Sequence, residues 1–258
     1  MADGAVQLVV QGDDFGMCHA VNAGVVTALT DGILTQASAM APCPWVDEAL
    51  RLAAVHDIPL GLHQTLTCDW ENFRWRPLTR GRSLVGPDGY FRDTVAEAAA
   101  AINAADAEAE LLAQAARISG SGLSLGYLDV HMGLVCEAAY ERVSQELGAP
   151  FLYPGLPTSL RFTSIRSLSQ RKASEKLPWL LAWLEGLAPG VHLLVTHPGV
   201  GGAELASLTS ASSPVYAWAE EYRVSDLAVL TDGAVRRAVK EHGIRLTSVA
   251  SADFSEVT

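Results

Sequence analysis

Cysteine is scarce. Four stand in 258 residues, Cys18, Cys43, Cys68 and Cys136, and no two form a C-x-x-C pair. That excludes a zinc knuckle and a disulfide-framed scaffold, and it points to reduced thiols in a cytoplasmic compartment. Long apolar runs are missing as well. No stretch approaches the roughly 20 residues a bilayer span needs, and residues 1–4 carry no basic segment ahead of an apolar one, so neither a membrane span nor an export signal is expected. Positive charge is short: 18 Lys and Arg against 29 Asp and Glu leave a formal net charge of −11, which sets aside bulk attraction to nucleic acid or anionic membrane. There is no repeat of solenoid period and no low-complexity tail.

Core material is abundant. A hydrophobic share of 49% against 18% charged residues argues for an extensive core and against disorder. The length suits one α/β barrel domain over residues 1–258, because such barrels run about 200–250 residues as a unit.

Strand-like runs fall at residues 7–10, 34–40, 60–66, 125–130, 150–153, 192–196 and 244–248. Helical spacing lies between most of them, at 20–30, 46–55, 94–118, 138–147, 175–187 and 234–241. Strands alternating with helices imply parallel pairing through crossover helices, since no tight turn reaches a parallel neighbour. The expected fold is therefore a distorted TIM-like (β/α) barrel of about seven parallel strands. The Ala-rich stretch 94–118 reads as one outer helix with Ile102, Ala105, Ala109, Leu112 and Ala116 on one face. Residues 68–91 and 199–214 lack a sustained period and read as loops, the first long enough to be functional.

The polar residues at strand ends are the informative feature. Asp13 and Asp14 end the first strand, His63 lies in the third, Asp129 and His131 end the fourth, and His197 ends the sixth. In a parallel barrel these ends converge on one mouth. Carboxylates and imidazoles gathered there without compensation repel one another or lose hydration, and a divalent cation resolves the conflict. One Asp oxygen with two His nitrogens suits Zn²⁺, Mn²⁺ or Fe²⁺. Successive side chains of an extended strand point to opposite faces, so Asp13 and Asp14 share the site only if the backbone turns, and Gly12 and Gly16 flank that point.

Five blocks carry a resemblance in order along the chain: Gly12-Asp13-Asp14-Phe15-Gly16; Gly32-Ile33-Leu34-Thr35 with Ser38-Ala39-Met40; Gly61-Leu62-His63-Gln64-Thr65-Leu66-Thr67; Leu128-Asp129-Val130-His131; and Thr196-His197-Pro198-Gly199. Together they resemble the YdjC-like carbohydrate deacetylases, the group of the chitooligosaccharide and hopanoid-biosynthesis deacetylases. The resemblance implies a hydrolase that removes the acetyl group of an N-acetylated sugar through water activated by one divalent metal ion, Mg²⁺ or Zn²⁺. It further implies Asp14, His63 and His131 as metal ligands, Asp13 as general base and His197 as general acid. Two departures stand out: His131-Met132-Gly133-Leu134-Val135 replaces a His-rich run, and Gln11-Gly12 replaces Asn-Ala before the Asp pair.

Asp129, two positions before His131 on one strand face, is expected to orient His197 or His131. Trp70 and Trp75 are candidates for stacking on a pyranose ring, against the alternative of a satellite cluster beneath the loop. Arg74, Arg76, Arg80 and Arg82 form a basic run that would favour an anionic substrate if it lined the mouth. A homodimer is the default assembly. The competing functions are an esterase or phosphoesterase on the same metal site, and a non-catalytic sugar-binding protein.

Overall fold

The structure, a computed structural model, describes residues 5–169, 171–210 and 218–255. In chain order the elements are β1 (Val6–Phe15), α1 (His19–Thr30), β2 (Gln36–Ala39), α2 (Val46–His56), β3 (Leu60–Gln64), α3 (Val95–Ala101), α4 (Ala104–Ser119), β4 (Leu125–Val130), α5 (Glu137–Leu147), β5 (Ser164–Ser167), α6 (Ala173–Glu185), β6 (Gly190–Thr196), α7 (Ala203–Ala206), α8 (Glu221–Leu230), α9 (Gly233–Glu241) and β7 (Arg245–Leu246). The strands pair in the order β4-β3-β2-β1-β6-β5, every ladder parallel, with β7 beside the first half of β1.

Period-two alternation along β1 separates two cores. Leu8 and Val10 join the large cluster between sheet and helices, whereas Val9 packs with Tyr127 of β4 and Val191 and Leu193 of β6. Contact between β4 and β6 side chains, strands far apart in the sheet order, requires the sheet to curl around that inner cluster. Gly61 of β3 marks a close approach within it: a Cβ there would lie 2.2 Å from the Tyr127 ring.

The curl does not close. Among the described residues no ladder joins β4 to β5, and Phe151 makes only isolated bridges to Leu128 and Ser159. The sheet is thus a curled parallel half-barrel, compatible with the expected distorted barrel of about seven strands. The expected strand at 150–153 is not formed because Pro150 has no N–H to donate and Pro154 ends the run four residues later. The strand at this edge is instead β5, whose Ser-Ile-Arg-Ser sequence carries little apolar signal.

The expected helix at 94–118 is two helices. Thr94 caps α3 by accepting from the Glu97 N–H, and Asn103 caps α4 by accepting from the Asp106 N–H. Of the face noted in the sequence, Ala105, Ala109 and Ala116 are exposed, and the face turned inward carries Ala107, Glu110, Leu111, Gln114, Ala115 and Ile118. Glu110 and Gln114 are buried because they satisfy loop backbone. Glu110 accepts from the Leu78 and Thr79 N–H groups, and Gln114 accepts from the Thr65 N–H and donates to the Thr65 carbonyl.

The loop over 65–93 is tied down by these contacts and by Asn72. Asn72 donates to the Ser207 carbonyl and accepts from the Thr209 N–H, joining this loop to the one after α7. The loop expected at 199–214 holds the short helix α7; its residues 211–214 lie outside the described residues, as do residues 1–4. No helix among the described residues is long and apolar enough to cross a membrane.

Candidate active site

The ends of β1, β3, β4, β5 and β6 open into one cavity of about 530 Å³. Asp13, Asp14, His63, His131 and His197 all line it, whereas Asp129, expected with them, stands behind His63 outside the lining.

The adjacent carboxylates share the cavity because the backbone turns at Asp14 itself. Its φ is 65°, and the β1–β2 register shifts between Gly12 and Phe15. Asp tolerates the left-handed region better than most residues, and such conformations gather at functional sites. Asp13 keeps the inward direction set by β1, and the turn brings Asp14 in from the other face.

Asp14 is the hub. Its Oδ2 receives Arg223 Nη2 at 2.8 Å, while its Oδ1 lies 3.3 Å from His63 Nε2 and 3.3 Å from His131 Nδ1. Burial opposes the Asp14 charge, but Arg223 and the two imidazoles outweigh it and hold the carboxyl well below its ordinary pKa. His63 presents Nδ1 to Asp129 Oδ1 at 2.9 Å. The carboxylates on either side favour a proton on each ring nitrogen; where a cation replaces the Nε2 proton, Nδ1–H stays with Asp129 and a bare Nε2 faces Asp14 Oδ1. Two lone pairs then face each other in a buried site, and Asp14 Oδ1 has no hydrogen-bond partner.

A cation between them satisfies both. Donor atoms of Asp14, His63 and His131 lie within 4.8 Å of one another, so one ion can touch all three. Two imidazoles and one carboxylate with a carboxylate behind His63 are a donor set that fits a divalent transition metal or zinc. His131 Nε2 in turn lies 3.4 Å from Asp69 Oδ1, and neither atom has another partner. Burial lowers the pKa of both imidazoles, but the facing carboxylates override it and raise them, chiefly Asp129 for His63 and Asp14 for His131.

Asp13 sits apart from that trio. Ser38 Oγ lies 3.1 Å from Asp13 Oδ1, Tyr153 Oη 3.5 Å from Oδ2, and His197 Nε2 3.7 Å from Oδ2. Burial raises its pKa to about 7, His63 opposing and Asp129 and Asp14 assisting. His197, by contrast, is pushed down to about 3 by burial, so the ring is neutral at ordinary pH.

Asp129 faces His63, not His197 or His131, which corrects the expected partner. The reason is register: His63 and Asp129 are direct partners in the β3–β4 ladder. Its Oδ2 accepts from Gln11, which accepts from Gln36, which accepts from the Val249 N–H, so hydrogen bonds run from the turn after β7 through β2 and β1 to His63. Trp70 and Trp75 are not brought to the cavity. Their exposures are 0% and 2%, and Trp70 donates to Met17 Sδ and Trp75 to the Thr67 carbonyl beneath the loop. The arginine run stays out as well: Arg74 pairs with Asp88 and Asp93, and Arg76 lies over the Tyr90 ring.

Sequence reasoning missed Asp69, Tyr153, Trp218 and Arg223, all in the cavity wall. Arg223 lies on α8, an unforeseen helix whose buried positions include Arg223 and Asp226 and therefore read as solvent-facing. Asp69 follows Thr67 and Cys68 directly, so extending the third-strand motif by two residues would have reached it.

A curled parallel half-barrel with an Asp–His–His cluster and a second Asp–His pair at its carboxyl end defines an α/β protein with a candidate metal-centred site. Residues 7–241 match the YdjC-like protein family, and the chain belongs to it. It is 28% identical to a carbohydrate deacetylase of Geobacillus stearothermophilus, over 92% of this chain and 94% of the relative. It is 29% identical to one of Thermus thermophilus, over 96% and 95%. Among solved structures it is similar to a candidate cellobiose-phosphate cleavage protein of Enterococcus faecalis V583, with a TM-score of 0.82 at 21% identity, covering 96% of this chain and 100% of that one. A peptidoglycan deacetylase of Bacillus subtilis superposes with a TM-score of 0.52 at 9% identity, covering 97% and 91%, which speaks for the fold alone.

Proposed function

We propose that this chain is a metal-dependent carbohydrate deacetylase that hydrolyses the N-acetyl group of a sugar. The observation that carries the reading is the Asp14–His63–His131 cluster opening on the same cavity as Asp13 and His197. The similarity to the carbohydrate deacetylases of Geobacillus stearothermophilus and Thermus thermophilus supports it.

Asp14, His63 and His131 would hold the divalent cation, and the imidazole donors favour zinc over magnesium. Such an ion supplies Lewis-acid polarisation of the acetyl carbonyl and makes water more acidic. Arg223 clamps Asp14 so that Oδ1 alone faces the imidazoles, and Asp129 fixes the His63 tautomer. Asp13 would accept a proton from the attacking water. Its held-up pKa places it near the range where a general base works at neutral pH. His197 would give a proton from Nε2 to the departing amine. Trp218, whose ring lies 4.8 Å from His197, supplies the aromatic face for a sugar that Trp70 and Trp75 do not. The four cysteines are free, which supports work in the reducing cytoplasm.

The test is acetate release from N,N′-diacetylchitobiose and matched O-acetyl and phosphate esters, with the protein stripped of metal and reloaded with zinc, manganese or magnesium. Metal-restored release from the amide is expected. Turnover confined to an ester would refute the reading in favour of an esterase or phosphoesterase.

A further inference from the structure

Behind His197, away from the cavity, lies a fully buried polar relay. Ser169 Oγ is 2.8 Å from His197 Nδ1 and donates to Asp226 Oδ2. The same carboxylate oxygen accepts from the His197 backbone N–H at 2.8 Å, and Asp226 Oδ1 accepts from Lys176 Nζ at 2.6 Å. Lys176 also donates to the Tyr222 carbonyl and Ser225 Oγ, and both charged side chains are 0% exposed. A buried ion pair of this kind is seldom the cheapest way to stabilise a fold, since apolar residues of like volume serve as well or better.

We propose that Ser169, Asp226 and Lys176 are positioning residues that hold His197 in one tautomer, Nδ1 protonated and Nε2 bare toward Asp13. The argument is a count of protons. Every group facing Asp226 is a donor: an ammonium, a backbone amide and a hydroxyl. The carboxylate therefore acts as acceptor only, and the single Ser169 proton is committed to it. The remaining Ser169 lone pairs can only accept, so His197 Nδ1 must carry the hydrogen. Nε2, facing Asp13 Oδ2 at 3.7 Å, is left free to take a proton and pass it on. In the reaction, and here the inference rests on the deacetylase reading, Nε2 gains the proton drawn from water through Asp13 and releases it to the amine nitrogen as the C–N bond breaks. The imidazolium formed in between is faced by the Ser169 oxygen and, one step further, by the Asp226 charge. Burial raises the Asp226 pKa and Lys176 opposes that rise, favouring the carboxylate that keeps the hydroxyl pointing away from the ring.

The test reads the tautomer directly. Two-bond nitrogen–proton correlations of ¹⁵N-histidine-labelled full chain, with His197→Gln identifying the resonance, should show Nδ1–H and a bare Nε2. In Ser169→Ala that preference should be lost and kcat should fall roughly 10- to 100-fold at little changed KM. Ser169→Thr, which keeps the hydroxyl, should restore both. A wild-type spectrum showing Nε2–H overturns the proposal whether or not any sugar is deacetylated, as does a Ser169→Ala protein with altered tautomer and undiminished kcat. If no N-acetylated sugar is turned over at all, the deacetylase reading fails and the spectrum alone decides on the relay.

Discussion

His63 and Asp129 are ladder partners on adjacent strands, and the ladder itself delivers the Asp129 carboxylate to His63 Nδ1 at 2.9 Å. The contact needs no loop and no side chain out of its pleat. It sets which nitrogen of His63 faces Asp14. Asp129→Asn should therefore weaken zinc affinity roughly 10- to 100-fold, as losses of ligand-orienting partners do, while leaving the fold intact. Zinc titration followed by calorimetry measures this; unchanged affinity would separate Asp129 from the metal site.

Arg223 and the cation compensate the same buried carboxylate. Arg223→Met should destabilise the metal-free protein by about 3–5 kcal/mol, because it strands the Asp14 charge. Added zinc should recover more of that loss than it adds to the wild type. Urea denaturation with and without zinc gives the comparison.

Asp14→Ala, His63→Ala and His131→Ala should each lower bound metal from one ion per chain toward none. Elemental analysis after gel filtration reports it. The same variants should show no zinc-dependent rise in melting temperature.

Trp218→Ala should raise KM for a sugar substrate several-fold with the melting temperature nearly unchanged. Trp75→Ala, which removes a core ring, should do the reverse and cost about 3–5 kcal/mol of stability. Steady-state kinetics and thermal unfolding of the two proteins distinguish a ring that faces substrate from one that faces the core.

Glu110→Ala should leave the Leu78 and Thr79 amides without their acceptor and cost about 1–3 kcal/mol. Limited proteolysis should then cut faster within residues 65–93. Equal cutting rates in variant and wild type would mean that the loop is held by other contacts.

The alternation of strand and helix and the convergence of Asp13, Asp14, His63, His131 and His197 are legible in the sequence, because each lies at or near the end of an apolar run whose period marks it. The edge at β5 is not, since Ser164, Ile165, Arg166 and Ser167 are only half-buried or exposed and carry no strand pattern. Nor is α8. Its inward positions hold Arg223 and Asp226, partnered across the fold by Asp14 and Lys176, and a buried charge whose partner lies far away in sequence looks like a surface charge. Glu110 and Gln114 hid the core face of α4 for the same reason. The assignment of Asp129 failed on register: spacing along one strand says which face a residue takes, not which residue of the next strand lies opposite.

The gap between β4 and β5 has an evolutionary consequence. The wall there is built from residues 150–163, held by isolated bridges, so it can lengthen, shorten or change composition while every strand pairing survives. The Asp14–His63–His131 cluster is anchored on the paired side of the sheet, and from the unpaired wall Tyr153 reaches Asp13. Descendants of such a frame are free to exchange what they admit without renegotiating how they react with it.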